Sequence, residues 1–189
     1  LHTHTVATIS DANFNFSLEK LKEYVSVMEI DCIAITNHNH FDKTQFELIA
    51  ADLSTTTLPG IEIDLEGGHM LLIAENKDLD DFKQKCDLVE AAIPTTSDFI
   101  TLEKLKSIFP DLSKYILIPH YDKKPAIRKE TIDQLCTHIT AGEVASVRKF
   151  KTCLKETDKL VPVIFSDMRF FEDLPTFSTR QTFIDLEEI

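Results

Sequence analysis

Short runs of β-branched and apolar residues alternate along this chain with stretches in which apolar residues recur at helical spacing. The runs predict seven strands, at residues 32–36, 57–63, 69–74, 115–119, 139–145, 161–165 and 182–186. Such alternation is typical of an α/β fold with a mainly parallel sheet. The chain has only four glycines and no glycine-rich loop to cradle a nucleotide, which excludes Rossmann and P-loop folds for this segment.

The stretches between the strands predict helices that each have one apolar face. Ser17 is placed to cap the first of them, and Pro94 and Pro110 end the third and the fourth. The predicted helical regions are 18–28, 41–53, 82–89, 102–108, 132–136 and 147–157. The pattern alone leaves open whether the sheet closes into a barrel.

Composition narrows the class of protein. A length of 189 residues with 43% hydrophobic residues is enough for one domain with a sizeable core. The apolar runs are too short to cross a bilayer, and we expect no membrane partner. Four cysteines without a CxxC pair give no support to a zinc knuckle or a disulfide framework, and favour a cytoplasmic protein. Because the sequence begins at Leu1, we expect residues 1–189 to be a single domain from a longer polypeptide.

The net charge of −12 bears on possible partners. Binding nucleic acid by bulk electrostatics requires clustered lysines and arginines, which an acidic chain of this kind does not supply. We therefore expect contact with nucleic acid only if a partner domain provides the positive surface.

Six of the seven histidines lie next to predicted strand ends or starts. They are His2 and His4 after a truncated strand, His38 and His40 after the strand at 32–36, His69 at the start of the strand at 69–74, and His120 at the end of the strand at 115–119. Two carboxylates, Glu62 and Asp167, have similar positions. A single histidine at a strand end is more often a hydrogen-bonded structural group, but the joint pattern favours a site, because the carboxyl ends of parallel strands meet on one face.

Imidazole and carboxylate together suit Zn²⁺, Mn²⁺ or Fe. More than four such ligands indicate a cluster of two or three ions, typically about 3.5–4 Å apart. The sequence therefore predicts a polynuclear metal centre at one end of the sheet.

The order of these motifs resembles the PHP family, which is named for polymerase and histidinol phosphatase. The blocks run from residue 2 to residue 167, over almost the whole chain, and they are HTHT (2–5), AITNH (34–38), GIE (60–62), HMLL (69–72), IPH (118–120) and SD (166–167). The resemblance implies a distorted (βα)7 barrel of TIM-like type with a metal cluster, usually of three ions, at the carboxyl ends of its strands. It also implies hydrolysis of phosphate esters.

Carried over by position, the resemblance implies three sets of metal ligands. The first ion would be held by His2, His4, Glu62 and Asp167; the second by the bridging Glu62 with His69 and His120; the third by His38 and Asp11. The spacing from His2 to Asp11 is one residue longer than is usual in the family.

The chain departs from the family pattern at two positions. Asn37 stands where Asp is common, and Arg169 stands where a histidine would complete the third ion's ligands. Either His40 replaces that ligand or the site holds only two ions. Arg169 itself has two interpretations, contact with a substrate phosphate through its planar guanidinium or a surface ion pair.

The expected reaction is hydrolysis of a phosphomonoester or phosphodiester by water activated at the metal cluster. Candidate phosphate contacts are Lys123, Lys124, Arg148 and Arg169, although the two lysines also fit a solvated loop. Glu143 closes a predicted strand, where it either supports the ligands or serves the fold.

Two other functions remain open at this point. The segment 16–42 is similar to PHP modules attached to AAA- or SMC-like ATPase domains, so the chain is also compatible with a catalytically weakened module that regulates or scaffolds a fused or associated ATPase. Metal-dependent C–N hydrolysis of the amidohydrolase type is less favoured, because that class usually has a carboxylated lysine within a strand and the predicted strands contain none.

Overall fold

Eight strands form one sheet in the computed structural model, which describes residues 2–135, 137–139, 141–155 and 160–183. The strands are β1 (His2–His4), β2 (Cys32–Ile35), β3 (Thr56–Leu65), β4 (Gly68–Ala74), β5 (Tyr115–Asp122), β6 (Ala141–Val144), β7 (Val161–Val163) and β8 (Met168–Arg169). Their order across the sheet is β7-β6-β5-β4-β3-β2-β1-β8. Among the described strands, β4 pairs antiparallel with both of its neighbours and every other pairing is parallel.

The sheet is strongly curled. In a flat sheet β1 and β6 would lie about 24 Å apart, since five inter-strand steps of about 4.8 Å separate them. The side chains of His2 on β1 and Glu143 on β6 nevertheless approach to 3.4 Å between Nδ1 and Oε2. Residues 164–167 alone connect β7 to β8, the two edges of the sheet, and so few residues reach at most about 18 Å. The sheet is therefore a half-barrel whose edges are brought together by the chain itself.

The half-barrel is not closed by hydrogen bonding between β7 and β8 within the described residues. Side chains satisfy the backbone groups of the connection instead. Thr182 Oγ1 accepts from Ile164 N at 3.0 Å and donates to Ile164 O at 2.8 Å, and Ser166 Oγ donates to His2 O at 3.1 Å. The closed (βα)7 barrel implied by the resemblance is accordingly not what these residues form.

Strand β4 runs antiparallel to its neighbours. Its first residues therefore lie at the same edge of the sheet as the last residues of the strands beside it. Its register pairs His69 with Asp64 near the end of β3, and Met70 with Pro119 near the end of β5. The start of β4 thus lies beside the carboxyl ends of its neighbours. His69 and His120 therefore meet at one rim.

Six helices surround the sheet in the described part of the chain. They are α1 (Leu18–Val27), α2 (Lys43–Asp52), α3 (Leu79–Ala92), α4 (Leu102–Ile108), α5 (Lys129–Leu135) and α6 (Val147–Cys153), with a 3-10 turn at Leu112–Lys114. Ser17 caps α1 by accepting from Lys20 N at 3.3 Å, as its sequence position predicted. None of the helices within the described residues is both long and apolar enough to span a membrane.

The apolar faces of the helices cover the sheet in one large core. Buried aromatic side chains from different elements meet there, with Phe41 near Phe46 and Phe82 at ring-centroid separations of 5.4 and 4.9 Å. On α3, the buried residues are Phe82, Cys86 and Val89, the stripe expected from the sequence. Helix packing therefore fixes the strands rigidly enough to hold side chains at their rim.

The predicted α/β alternation is confirmed, with corrections at particular elements. His2 and His4 lie within β1 rather than after a truncated strand, and β8 was not predicted. The strand predicted at 182–186 is wrong for Thr182 and Phe183, which have no regular structure, and residues 184–186 lie outside the described residues. Residue 140 of the strand predicted at 139–145, residue 136 of the helix predicted at 132–136 and residues 156–157 of the helix predicted at 147–157 also lie outside them.

Candidate metal centre

Four side chains with donor atoms of the kinds that bind metal ions converge at the end of β1. His2 Nε2 and His4 Nε2 are 2.8 Å apart, and Glu62 Oε2 lies 2.9 and 3.2 Å from them. Asp167 Oδ1 is 3.2 Å from His4 Nε2 and 3.7 Å from His2 Nε2. Tetrahedral bonds of about 2.0–2.2 Å would place ligand atoms about 3.3–3.6 Å apart. The observed separations of 2.8–3.7 Å lie on both sides of this range, so small side-chain shifts would let the four donors close on one metal ion.

Glu62 is the common centre of the rim. It is 2% exposed and lies on β3, the strand between β2 and β4. Besides the two histidines of β1, its carboxylate contacts His69 Nδ1 at 2.9 Å and His120 Nε2 at 3.2 Å through Oε1, and His38 Nε2 at 3.5 Å through Oε2. One buried carboxylate thus touches five histidines from four strand ends, and its two oxygens face different groups of them.

Four overlapping groups of side chains bring possible ligand atoms within 4.8 Å of one another. They are His2, His4, Glu62 and Asp167; His38, Glu62 and His69; His2, His120 and Glu143; and His4, Asp11 and His38. The structure therefore brings together all eight residues that the sequence singled out as ligands. This arrangement is compatible with a polynuclear site.

Several polar atoms in the cluster are buried without a hydrogen-bond partner among the described residues. They are the Nδ1 atoms of His4, His38 and His120. Glu62 Oε2, Asp64 Oδ1 and His120 Nε2 contact only other members of the cluster, which are themselves possible metal ligands. Burying such atoms unsatisfied costs free energy, and native proteins rarely leave so many together. Histidine nitrogens and carboxylate oxygens that face one another in this way are suited to binding a shared cation.

The charges of the cluster shift the pKa values of its histidines in opposite directions. Burial acts to lower the pKa of His2, but Glu62 and Glu143 outweigh it and raise that pKa to about 9. Burial likewise opposes the hydrogen bonds of Asp64 and Glu62 at His69, whose pKa is also raised to about 9. At His38 burial prevails and lowers the pKa to about 4. Without metal, the cluster thus carries protons that a metal would displace.

Glu143 on β6 is a part of the cluster whose role the sequence left undecided. It is buried, and Oε2 lies 3.4 Å from both His2 Nδ1 and His120 Nε2. Oε1 accepts from Lys123 Nζ at 2.8 Å. Burial alone would raise the pKa of this carboxyl, but hydrogen bonds from His120 and His2 hold it below its usual range. Glu143 thus contacts His2 through Nδ1, the ring nitrogen that does not face Glu62, in the way that outer carboxylates orient metal-bound imidazoles. It contacts His120 through Nε2, which also faces Glu62.

Asp64 and Asn39 are rim residues that the sequence reading missed. Asp64 Oδ1 is 2.9 Å from His69 Nε2, and Asp64 Oδ2 accepts from Asn39 Nδ2 at 2.8 Å. Asn39 adopts a left-handed backbone with φ of 52°, which asparagine tolerates better than most residues. Strand alternation could have indicated Asp64, because it lies two residues after Glu62 in the same strand and the two side chains must point to the same face of the sheet.

Lys123 reaches the cluster through the loop after β5. Pro125 O accepts from His69 N at 3.2 Å, which folds the loop back over the start of β4. Gly68, with φ of 154°, permits this approach, since a Cβ there would lie 2.4 Å from the Ala126 carbonyl carbon. Lys123 Nζ then lies 2.9 Å from Asp167 Oδ2, in addition to its contact with Glu143 Oε1. Its side chain is only 14% exposed.

The other residues proposed for phosphate contact lie differently. Lys124 and Arg148 have exposed side chains. Arg169 is half-buried and donates through Nε to Asp11 Oδ1 at 2.9 Å, with Nη2 on the same oxygen and Nη1 3.5 Å from Asp167 Oδ1. Arg169 is therefore neither a simple surface ion pair nor a free cation.

Three further residues that the sequence singled out have other roles or positions in the structure. Asn37 Oδ1 accepts from Thr5 N at 2.7 Å and Val6 N at 2.9 Å, so the Asn37 departure affects how β1 ends. His40 is in none of the four groups of converging ligand atoms, and its Nδ1 lies 2.9 Å from Glu90 Oε2 on α3. Asp167 has a left-handed backbone with φ of 46°, a costly conformation that turns its carboxylate toward His4.

Comparison with known proteins adds no assignment. No protein family model matches the chain, and no curated protein is similar to it at a significant level. The function must therefore be argued from the site.

Proposed function

We propose that this chain is a metal-dependent phosphoesterase of the PHP type. The observation that carries the proposal is the convergence of five histidines on the buried Glu62, with Asp167 as a fourth possible ligand beside His2, His4 and Glu62. Under this proposal His2, His4, Glu62 and Asp167 hold one ion, and Glu62, His69 and His120 hold a second. Such ions suit Zn²⁺, Mn²⁺ or Fe by ligand type.

Bound divalent ions would supply a water of lowered pKa as the nucleophile and would neutralise phosphoryl oxygens. The protein's own residues then have separate tasks. Glu143 holds the rings of His2 and His120 in position. Hydroxyl or thiol nucleophiles are not required for this route, and the cluster is built of imidazoles and carboxylates.

Lys123 is the residue that we propose for contact with the substrate phosphate. Its ammonium lies at the edge of the cluster, beside Asp167, and an ammonium is well suited to a phosphate oxygen. Burial acts to lower the pKa of Lys123, but Glu143, Asp167 and Glu62 raise it, so the side chain is cationic. Phosphate contact by Lys124 or Arg148 stays a prediction without structural support.

The cationic state of Lys123 also argues against amidohydrolase chemistry. A carboxylated lysine bridges ions only after its amine has lost its positive charge. Lys123 instead forms ion pairs at 2.8 and 2.9 Å with two carboxylates of the cluster. It is therefore better placed to attract an anionic ester than to bridge two ions.

A second candidate function is a catalytically weakened module that regulates or scaffolds an ATPase domain. The observation that favours it is the ion pair between Arg169 and Asp11, which alters the group of possible ligands formed by His4, Asp11 and His38. The fused or associated ATPase, and any nucleic-acid partner reached through it, remain predictions.

The test is hydrolysis by protein loaded with Mn²⁺ or Zn²⁺, with metal content measured on the same sample. Substrates are p-nitrophenyl phosphate, bis-p-nitrophenyl phosphate, nucleoside monophosphates, and DNA and RNA oligonucleotides, with Glu62→Gln as the matched inactive control. Turnover of a monoester or diester that Glu62→Gln abolishes supports the phosphoesterase. Full metal loading without turnover of any substrate contradicts it and favours the scaffold.

A further inference from the structure

The carboxylate of Asp11 is fully occupied by protein donors. Oδ1 accepts from Nε and Nη2 of Arg169. Oδ2 accepts from Thr8 N at 3.2 Å and Thr8 Oγ1 at 3.0 Å. A carboxylate offers about four lone-pair sites, and four donors use them here. The side chain of Asp11 is also completely buried.

Asp11 nevertheless belongs to one of the four groups with converging ligand atoms, together with His4 and His38. In the groups around Glu62, by contrast, the contacts of the carboxylate are with histidine nitrogens that are themselves possible metal ligands. An ion in the Asp11 group would have to displace the Arg169 guanidinium, which cannot bind a metal, whereas the partners of Glu62 are imidazoles that can themselves bind the ion.

Arg169 is also held from a second side. Its Nη1 lies 3.5 Å from Asp167 Oδ1, and that oxygen is 3.2 Å from His4 Nε2. The guanidinium therefore spans two carboxylates of the rim. It stays charged at any working pH, so a divalent ion beside it would meet a permanent positive charge.

We propose that the Arg169 guanidinium is a built-in cation that takes the place of a metal ion in the group formed by His4, Asp11 and His38. The chain then binds two metal ions, both around Glu62, and not three. This inference rests on the metal centre in the proposed function, but not on hydrolysis of any substrate.

The experiment counts ions directly. The protein is loaded with excess Mn²⁺, freed of unbound metal by gel filtration, and measured by inductively coupled plasma mass spectrometry against protein concentration. The wild type and Asp11→Asn are expected to retain two ions each, because Asp11 is not a ligand. Arg169→His, which removes the fixed charge and adds an imidazole, is expected to retain three.

Two further variants keep the test decisive. Arg169→Lys retains a cation and should retain two ions, and the double variant Arg169→His with Asp11→Asn should return from three ions to two. Thermal unfolding of each variant checks that it is folded. Three ions in the wild type that fall to two in Asp11→Asn would overturn the inference, as would a count of two in Arg169→His. A count of zero in the wild type would contradict the proposed metal centre itself, so the two failures can be told apart.

Discussion

Glu62 and Asp11 are two buried carboxylates at the same rim, and they differ in the donors that contact their oxygens. Glu62 is surrounded by imidazole nitrogens, which are possible metal ligands. Asp11 is saturated by Arg169 and Thr8. Burial acts to raise the pKa of both carboxyls, yet histidines lower it for Glu62 and Arg169 lowers it for Asp11. Two kinds of partner thus keep a buried carboxyl ionised. At Glu62 they are imidazoles, which can also bind a metal ion, and at Asp11 the main one is a guanidinium, which cannot.

Neutralising these two carboxylates separately should give the largest difference between them. Glu62→Gln removes a charge shared by five histidines, so we expect metal affinity to fall by more than the roughly 100-fold typical of losing an outer partner, with loss of hydrolysis. Asp11→Asn should change metal affinity by less than about 3-fold. Titration against a chelating indicator measures both, and equal losses would break the contrast.

Glu143 should behave as an outer partner, between these two extremes. Glu143→Gln keeps the shape of the side chain but weakens its hold on His2 and His120, and we expect metal affinity to fall by about 10–100-fold. The same chelator titration applies, with ion counts at saturating metal as the second readout. A loss as large as that of Glu62→Gln, accompanied by one fewer ion, would make Glu143 a metal ligand.

Lys123 and Lys124 are adjacent and give a matched pair for substrate binding. Lys123→Gln should lower kcat/KM for a phosphate ester by about 10–100-fold, since hydrogen bonds to charged groups contribute roughly 1.5–3 kcal/mol. Lys124→Gln, at an exposed position, should change it by less than about 2-fold. If both variants lose activity equally, the loop acts through its structure and not through the Lys123 ammonium.

The histidines with raised pKa predict how the metal-free protein responds to pH. His2 and His69 have pKa values of about 9 in the folded state and about 6.5 when unfolded, so protonation stabilises the fold fully below pH 6.5. That contribution is lost as the pH rises through 9. The Tm of the metal-free protein should therefore fall by several degrees between pH 6.5 and pH 9.5.

Metal loading supplies the control for this prediction. Once cations occupy the site in place of protons, Tm should depend much less on pH over the same range. The variant His69→Asn should show a smaller pH effect than the wild type when both are free of metal. A metal-free Tm that is constant or rises toward pH 9.5 would show that these histidines are not protonated in the fold.

Most of the candidate site could be predicted from the sequence, because apolar runs in the sequence show where strands end. His38 and His120 follow apolar runs directly, and Glu62 follows Gly60 within another. Asp64 was also available from strand alternation, since residues two apart share a face. These positions depend on local structure, which short-range patterns determine.

The parts that could not be predicted depend on long-range geometry. The antiparallel direction of β4 is an exception, because the tight turn at Gly67 and Gly68 between two apolar runs is a local hairpin signal. The ion pair of Asp11 with Arg169 joins residues 158 positions apart. The curl of the sheet, and its open edge between β7 and β8, likewise depend on how the whole sheet packs.

The central claim is that Glu62 is the shared centre of a metal cluster. Crystals grown from protein loaded with Mn²⁺ and recorded at the manganese absorption edge would test it most directly. We expect anomalous peaks in contact with Glu62, one beside His2, His4 and Asp167 and one beside His69 and His120. An anomalous map with no peak in contact with the Glu62 carboxylate, from crystals of fully loaded protein, would contradict it.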